Sequence, residues 1–203
     1  MSAARRKKPE VRRAELIAAA VDCFREKGVE RTSVSDIVAR AGVAQGTFYL
    51  YFKSKDEAIA AVVESALDGI IERLESAVDM PDASAVDKLF VLRDALVETA
   101  DEPHEVEMLQ VFHRPENRAV HDRVSAAFGP RIAPLIGQII EQGVAEGAFD
   151  VEDPGIAAWF VLGGFLPFEA SIGNPDLMER TMRQLTAYLL RGLGYVGRDA
   201  RDD

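Results

Sequence analysis

Several side chains within residues 45–55 can form hydrogen bonds with a polar partner, among them Gln45, Thr47, Tyr49, Tyr51 and Lys55. A glutamine can make two hydrogen bonds with the edge of an adenine, and a threonine methyl can pack on the methyl group of thymine. Tyrosine and lysine donate readily to phosphate oxygens. These residue types therefore indicate binding to double-stranded DNA, if one exposed face presents them together.

Two short helices joined by a tight turn are predicted to position these side chains. Ser33 stands three residues before Asp36, which is the spacing of a capping box at a helix start. Gly42 provides the left-handed conformation that commonly ends a helix, and Gln45 then opens a second helix. The first helix carries its apolar residues at helical spacing, at Val34, Ile37, Val38 and Ala41. A helix, a glycine-containing turn and a second helix form a helix-turn-helix, which places its second helix in a DNA major groove.

The second helix contains one unfavourable residue and four aromatic ones. Gly46 is about 1 kcal/mol worse than alanine inside a helix, which is understandable if the backbone there approaches another surface, as a helix N-terminus approaches a phosphate. Spacing alone does not separate core aromatics from functional ones. Phe48 and Phe52 fit a core position as well as a functional one, whereas the tyrosines and Gln45 are harder to explain as core residues.

Residues 28–55 resemble the N-terminal signature of the TetR family of transcriptional regulators. The resemblance rests on the following residues, in order and spacing: Gly28, Thr32, Ile37, Ala41-Gly42-Val43, Gly46-Thr47-Phe48-Tyr49, Tyr51-Phe52 and Lys55. The resemblance is confined to about the first quarter of the chain. Ala44 departs from the pattern, because many relatives have there a serine or threonine that caps the second helix and can contact phosphate. Assigned to DNA on these grounds are Thr32, Ser33, Ala44, Gln45, Gly46, Thr47, Tyr49, Tyr51 and Lys55.

Charge is divided unevenly along the 203 residues. The net charge is −10, but residues 1–55 hold twelve Lys and Arg against six Asp and Glu, hence +6, and the remainder is −16. Only the N-terminal quarter is therefore suited to phosphate, since the acidic remainder is repelled by it. The basic arm at residues 1–9 is expected either to add DNA contacts or to be a solvated tail.

Composition excludes several classes of protein. The N-terminus lacks the apolar core of a signal peptide and there is no run of eighteen apolar residues, so a cytoplasmic protein without a membrane partner is expected. The single cysteine, Cys23, excludes an intrachain disulfide and a thiolate zinc cluster. It lies near an apolar stripe, which predicts a buried, inert thiol.

The rest of the chain is predicted to be helical, giving an all-α fold of about nine helices. We expect a three-helix DNA-binding domain at residues 1–53 and a helical ligand-binding and dimerisation domain at residues 54–203. Predicted helices cover 10–27, 54–80, 84–100, 103–114, 116–147, 154–172 and 175–193, with a break or kink at Gly129-Pro130. Residues from 194 onward are expected to be disordered.

The stretch from Ile156 to Phe168 is apolar nearly all round, which indicates burial on more than one side. A second copy of the chain is the simplest partner for such a helix, so a homodimer is expected. The resemblance implies the same assembly, through a four-helix bundle of the two C-terminal helices of each subunit.

A small-molecule effector is implied by the resemblance, which places a ligand cavity in the C-terminal domain. The residues assigned to it are Phe90, Met108, Phe112, His113, Trp159, Phe165, Phe168 and Glu169. Each of them taken alone is better explained by core or interface packing. A metal held by His104, Glu107, His113 and His121 fits known ligand spacings poorly, and neither a metal nor a cofactor is expected. No phosphate-binding glycine loop or nucleophile motif indicates an enzyme.

Together these patterns predict a dimeric regulator that binds a palindromic operator, and the resemblance implies that a small apolar or amphipathic effector releases it. A repressor is the expected form. An activator or a regulator without a ligand remains an alternative, and an all-helical protein-interaction module is a more distant one.

Overall fold

The structure, a computed structural model, describes residues 8–98, 103–164, 175–195 and 197. Within these residues the fold is all-α, as predicted, and contains no strand. The described residues form nine α-helices: α1 (Pro9–Lys27), α2 (Val34–Ala41), α3 (Gln45–Tyr49), α4 (Lys55–Val78), α5 (Ala85–Glu98), α6 (Pro103–Phe112), α7 (Arg118–Ala145), α8 (Pro154–Gly164) and α9 (Pro175–Gly192). The basic arm before Lys8 and the tail after residue 197 lie outside the described residues.

The described residues form two compact units. Residues 8–65 and 103–121 make up the first, and residues 66–98, 122–164 and 175–195 make up the second. The division falls inside α4, between Ser65 and Ala66, and α6 belongs to the N-terminal unit. A division by packing does not test where the functional domains meet. The predicted boundary between residues 53 and 54 therefore stays a prediction.

The first unit is built on α1, which packs against α2 and α6, while α2 packs against α3. Its largest fully buried side chains include Leu16, Phe24, Ile37 and Phe48. Cys23 is buried among them, as predicted, and burial raises the pKa of its thiol. A buried protonated thiol is a poor nucleophile, since the thiolate is the reactive form.

The second unit has its own apolar core, to which α4, α5, α7, α8 and α9 contribute. Fully buried members are Leu74, Leu92, Ile132, Ile136, Ile139, Ile140 and Leu193. Asp153 caps α8 by accepting the N–H of Ile156 at 2.9 Å, which confirms the predicted cap. None of the helices in the described part of the chain is long and apolar enough to cross a membrane.

The predicted break at Gly129-Pro130 does not occur, because α7 continues through Pro130 and Pro134. The alternative, a kink at the same place, stays a prediction. A proline removes one helix hydrogen bond, but α7 buries Ile132 and Ile136 just beyond it, and this burial outweighs the loss. Gly129 serves packing instead, since a Cβ atom there would lie 3.0 Å from the ring of Trp159. The helix also begins at Arg118 rather than residue 116, after a 3-10 turn at Pro115–Asn117.

Candidate nucleic-acid interface

The start of α2 is fixed by the capping box that the sequence predicts. The hydroxyl of Ser33 accepts the N–H of Asp36 at 3.2 Å, and the carboxylate of Asp36 accepts the N–H of Ser33 at 2.9 Å. Lys27, at the end of α1, adds an ion pair to the same carboxylate. These hydrogen bonds from Lys27 and Ser33 hold the pKa of Asp36 well below its usual value.

The turn between α2 and α3 follows the expected geometry. Gly42 has φ 65 and ψ 37, the left-handed conformation, and its N–H donates to the carbonyl oxygen of Ala39. Val43 donates to the carbonyl oxygen of Val38 at 3.0 Å. Ala44 occupies the N-cap of α3 and provides no side-chain hydrogen bond there. The first amides of α3 therefore have no side-chain cap from Ala44.

Helix α3 turns Phe48 inward, as Phe52 just beyond the helix does, and leaves most of its polar residues exposed. Phe48 is fully buried and packs on Phe52, with ring centroids 5.3 Å apart. By contrast, Gln45 and Gly46 are exposed, and Tyr49 is 53% exposed. Thr47 and Tyr51 are half-buried. The residue types that suit base edges and phosphates thus share the solvent-facing part of this helix.

Gly46 has no neighbour within the chain that requires a glycine. A Cβ atom built at this position would have no heavy atom within 4 Å, and the residue does not have a positive φ. Neither packing nor backbone strain inside the described structure therefore explains the residue. This is the arrangement expected of a backbone that approaches a surface outside the chain.

Two residues assigned to DNA use their polar groups inside the unit. Thr32 is only 2% exposed, and its hydroxyl donates to the carbonyl oxygen of Gly28 at 2.8 Å. The ammonium of Lys55 lies 3.0 Å from the carbonyl oxygen of Val29. Both side chains thus contact the loop between α1 and α2, and their assignment to DNA stays a prediction.

Several cations of the N-terminal quarter are paired with carboxylates of the same unit. Arg40 contacts Glu26 and Asp22, and Arg13 contacts Glu64 at 3.1 Å. Within the described residues, the side chains of Arg25 and Lys53 have no such partner and are exposed. Neither residue was predicted from the sequence to contact DNA, because their charges entered only into the net charge of residues 1–55.

Leu50 is a further residue of this surface that was not predicted from the sequence. It follows Tyr49 and is 78% exposed, an unusual position for a large apolar side chain. Leu50 lies two residues from both Phe48 and Phe52, and in a helix two residues correspond to about 200°. This phase difference was the available signal that Leu50 faces away from the core.

The residues assigned to a ligand are distributed over both units. In the first, Met108 and Phe112 are buried, and the rings of Phe112, His113 and His121 lie 5.0–5.3 Å apart. In the second, the Phe90 ring is stacked by Arg93 at 4.5 Å, and Trp159 is 53% exposed. Phe165, Phe168 and Glu169 lie outside the described residues.

A small cleft in the second unit has a volume of about 20 Å³. Its lining residues are Leu89, Leu92, Arg93, Val161, Thr186, Leu189 and Leu190. This space suits about one water molecule and includes none of the residues assigned to a ligand. No group of three potential metal ligands occurs in the described part of the chain, and Glu107 binds backbone amides.

Comparison with known proteins identifies a family at the N-terminus. Residues 16–62 match the model of the bacterial regulatory proteins of the tetR family. The regulator YvdT of Bacillus subtilis is 44% identical over 61 residues, which are 30% of this chain and 31% of YvdT. The regulator YfiR of the same organism is 31% identical over 137 residues, 65% of this chain and 67% of YfiR. Both are described as HTH-type transcriptional regulators.

Two further proteins resemble a larger part of the chain. The repressor KstR2 of Mycolicibacterium smegmatis is 29% identical over 145 residues, 70% of this chain and 69% of KstR2. SmeT, the repressor of a Stenotrophomonas maltophilia multidrug efflux pump, superposes with a TM-score of 0.65 and 25% identity, covering 93% of this chain and 91% of SmeT. A complex of SmeT with triclosan has the same fold, with a TM-score of 0.64 at 24% identity over 94% of this chain and 93% of that one.

Proposed function

Because the chain belongs to the TetR family of transcriptional regulators, we propose that it is a homodimeric repressor that binds a palindromic operator through α3. The observation that carries this proposal is the division of α3 into two faces. Phe48 is fully buried, whereas Gln45, Gly46 and Tyr49 face solvent. An inward face fixes the helix on its unit, and the outward face carries groups that suit bases and phosphates.

The proposed DNA contacts are divided by type. Gln45 and Thr47 read base edges, since a glutamine can bond an adenine in two places and a threonine can contact thymine. Tyr49, Tyr51 and Lys53 contact phosphates, and the amides at Ala44 and Gly46 add the positive end of the helix. Thr32, Ser33 and Lys55 support this surface from inside the unit.

A two-fold dimer is proposed from the apolar surface of α8 and α9. On α8, Ile156 is 71% exposed, and Trp159 and Phe160 are about half exposed. On α9, Tyr188 is also largely exposed. Large apolar side chains exposed in one region mark an interaction surface. Two copies joined in this way present two α3 helices, and a two-fold reader matches a palindromic site.

Repression and effector release are proposed from the relatives. KstR2 and SmeT are both described as repressors, and SmeT is known in complex with triclosan. We place the effector in the C-terminal domain, where the resemblance implies a cavity. Native mass spectrometry of the purified protein tests this, since a retained effector adds a discrete mass that denaturation removes.

Selection of DNA from a random-sequence pool tests the proposed function as a whole. The purified protein should enrich a palindromic duplex and shift it in a gel, with an affinity that falls steeply as salt rises. Placing that duplex over a promoter should lower transcription in a purified system. A protein that enriches no sequence would instead be an interaction module, and increased transcription would identify an activator.

A further inference from the structure

We infer that Glu107 of α6 is a positioning residue for DNA binding, because its carboxylate holds the loop between α1 and α2. The inference rests on the proposed function, since it assigns a role in presenting α3 to DNA. Glu107 lies 77 and 78 residues from the loop residues that it contacts. It belongs to the same compact unit as the loop.

The carboxylate of Glu107 makes one hydrogen bond with each of two consecutive amides. Its Oε2 accepts the N–H of Val29 at 2.8 Å, and its Oε1 accepts the N–H of Glu30 at 2.8 Å. Hydrogen bonds to a charged acceptor are stronger than neutral ones. Both oxygens are used in this way, so a neutral amide at residue 107 could satisfy only one of the two N–H groups.

The peptide group between Val29 and Glu30 is held at both of its polar ends. Its N–H donates to Glu107, and its carbonyl oxygen accepts from the ammonium of Lys55 at 3.0 Å. A trans peptide points these two groups in opposite directions. Lys55, the first residue of α4, and Glu107, on α6, therefore hold this peptide from opposite sides, with a positive charge at its oxygen and a negative charge at its N–H.

The surroundings of the loop leave little room for another arrangement. Val29 is fully buried. Gly28 has φ 82, and a Cβ atom there would lie 2.9 Å from Oε2 of Glu107. Arg114, just after α6, forms an ion pair with Glu30. The residues after α1 and those of α6 are therefore fitted to each other.

The loop ends at Ser33, where the capping box starts α2. A displacement of Val29 and Glu30 is thus passed on over three residues to α2, and through the tight turn to α3. Groups that read bases must be held to within a fraction of an ångström, because hydrogen bonds weaken steeply with misalignment. Glu107 contacts no base or phosphate in this proposal and acts through the position of α2 and α3.

The substitution Glu107→Gln tests the inference, with Glu116→Gln as the matched control. Glu116 is an exposed carboxylate of the same unit, and its substitution removes the same charge. The probe is the duplex that the wild-type protein recovers from a random-sequence pool. We expect Glu107→Gln to bind it about tenfold more weakly, equivalent to about 1.4 kcal/mol, with the same preferred sequence. Glu116→Gln should bind like the wild type.

Stoichiometric titration at high protein concentration separates positioning from a loss of folded protein. The inference requires a weaker Kd at an unchanged active fraction. A reduced active fraction with an unchanged Kd overturns it, because Glu107 would then only stabilise the fold. An unchanged Kd and active fraction overturn it as well, while wild-type binding leaves the proposed function intact.

Amide hydrogen exchange provides a readout without DNA. We expect the amides of Val29 and Glu30 to exchange at least tenfold faster in Glu107→Gln than in the wild type, with the amides of α2 protected in both. Unchanged exchange at both amides overturns the inference. A wild-type protein that recovers no duplex from the pool overturns the proposed function and the DNA-binding role of Glu107 with it.

Discussion

Lys55 and Val29 are joined by a hydrogen bond of 3.0 Å, from the ammonium of the first α4 residue to a carbonyl oxygen of the loop after α1. The same ammonium lies 3.3 Å from the carbonyl oxygen of Glu30. A lysine has three N–H donors, and two of them are directed at the backbone of its own unit. The charge at residue 55 therefore stabilises the loop, and the exposed ammonium of Lys53 is better placed for phosphate.

The salt dependence of DNA binding distinguishes these two lysines. Each phosphate contact contributes about 0.9 to the slope of log Kobs against log salt concentration. We expect Lys53→Gln to reduce the slope by about 0.9 for each subunit bound to DNA, because one phosphate contact per subunit is lost. Lys55→Gln should leave the slope unchanged and lower the melting temperature. Fluorescence anisotropy over a salt series measures the slopes, and a flatter slope for Lys55→Gln would restore that residue to the phosphate contacts.

Base preference should depend on Gln45. Its side chain is exposed at the start of α3, and a bidentate contact with adenine contributes about 1–3 kcal/mol of discrimination. We expect Gln45→Ala to relax the preference at one position of each half-site, as measured by repeated selection from a random pool. Lys53→Gln is the control, since it should weaken binding evenly across sequences. Selection of the same consensus by Gln45→Ala would mean that another helix reads the bases.

The local features of α2 and α3 could be predicted from the sequence, because they depend on residues close together in the chain. The capping box joins residues three apart, and Gly42 ends α2 through its own backbone. A spacing of four residues places Phe48 and Phe52 on one face, although that spacing did not decide between a core and a functional role. Such signals are complete within one or two helical turns, so no knowledge of the tertiary fold was needed.

Contacts between distant segments could not be predicted in the same way. Lys55 was assigned to phosphate from its charge and position, but its partner is a carbonyl oxygen 26 residues away. Glu107 was considered as a metal ligand, whereas it binds amides 77 and 78 residues away. A charged residue shows what it can bind, and only the fold shows which partner lies within reach. The continuity of α7 through Pro130 is a similar case, since burial beyond the proline decides it.

The capping box of Ser33 and Asp36 should make the stability of the first unit depend on pH in the acidic range. Hydrogen bonds from Lys27 and Ser33 lower the pKa of Asp36 from the usual 3.8. The ionised carboxylate therefore stabilises the folded state above the usual value, and this contribution is lost as the pH falls towards the lower pKa of the folded state. We expect Asp36→Asn to lower the melting temperature at pH 7 and the difference from the wild type to narrow below about pH 4.

Thermal melts followed by circular dichroism between pH 7 and pH 2.5 measure this difference. Ser33→Ala provides a companion variant, because it removes the other half of the box and should lower the free energy of unfolding by about 1 kcal/mol. A difference between Asp36→Asn and the wild type that stays constant down to the lowest pH would contradict the assigned role of the carboxylate.

Dimerisation should depend on the exposed apolar surface of α8. Ile156 is mostly exposed in the single chain, so Ile156→Glu should leave the subunit folded and place a charge in the interface. We expect a monomer in sedimentation velocity with unchanged helical content. Operator affinity should fall by at least tenfold, because two linked DNA-binding domains bind much more tightly than one. Met80→Glu, at another exposed apolar residue, should remain dimeric, and a dimeric Ile156→Glu would place the interface elsewhere.

Gly46 allows DNA affinity and stability to be moved in opposite directions. A Cβ atom at this residue has no heavy atom within 4 Å, and glycine inside a helix is about 0.5–1 kcal/mol less favourable than alanine. Gly46→Ala should therefore maintain or raise the melting temperature. If the backbone of α3 approaches a phosphate here, the added methyl group separates the two surfaces, and binding should weaken by about tenfold, equivalent to about 1.4 kcal/mol.

Gly69→Ala is the matched control for this prediction. Gly69 lies inside α4, and a Cβ atom there also has no heavy atom within 4 Å. Both variants should gain helix stability, but only Gly46→Ala should lose affinity in fluorescence anisotropy with the selected duplex. Equal affinity of the two variants would mean that α3 does not approach DNA at Gly46. Because neither substitution meets a neighbour in the described structure, a loss confined to Gly46→Ala must arise from the surface to which α3 binds.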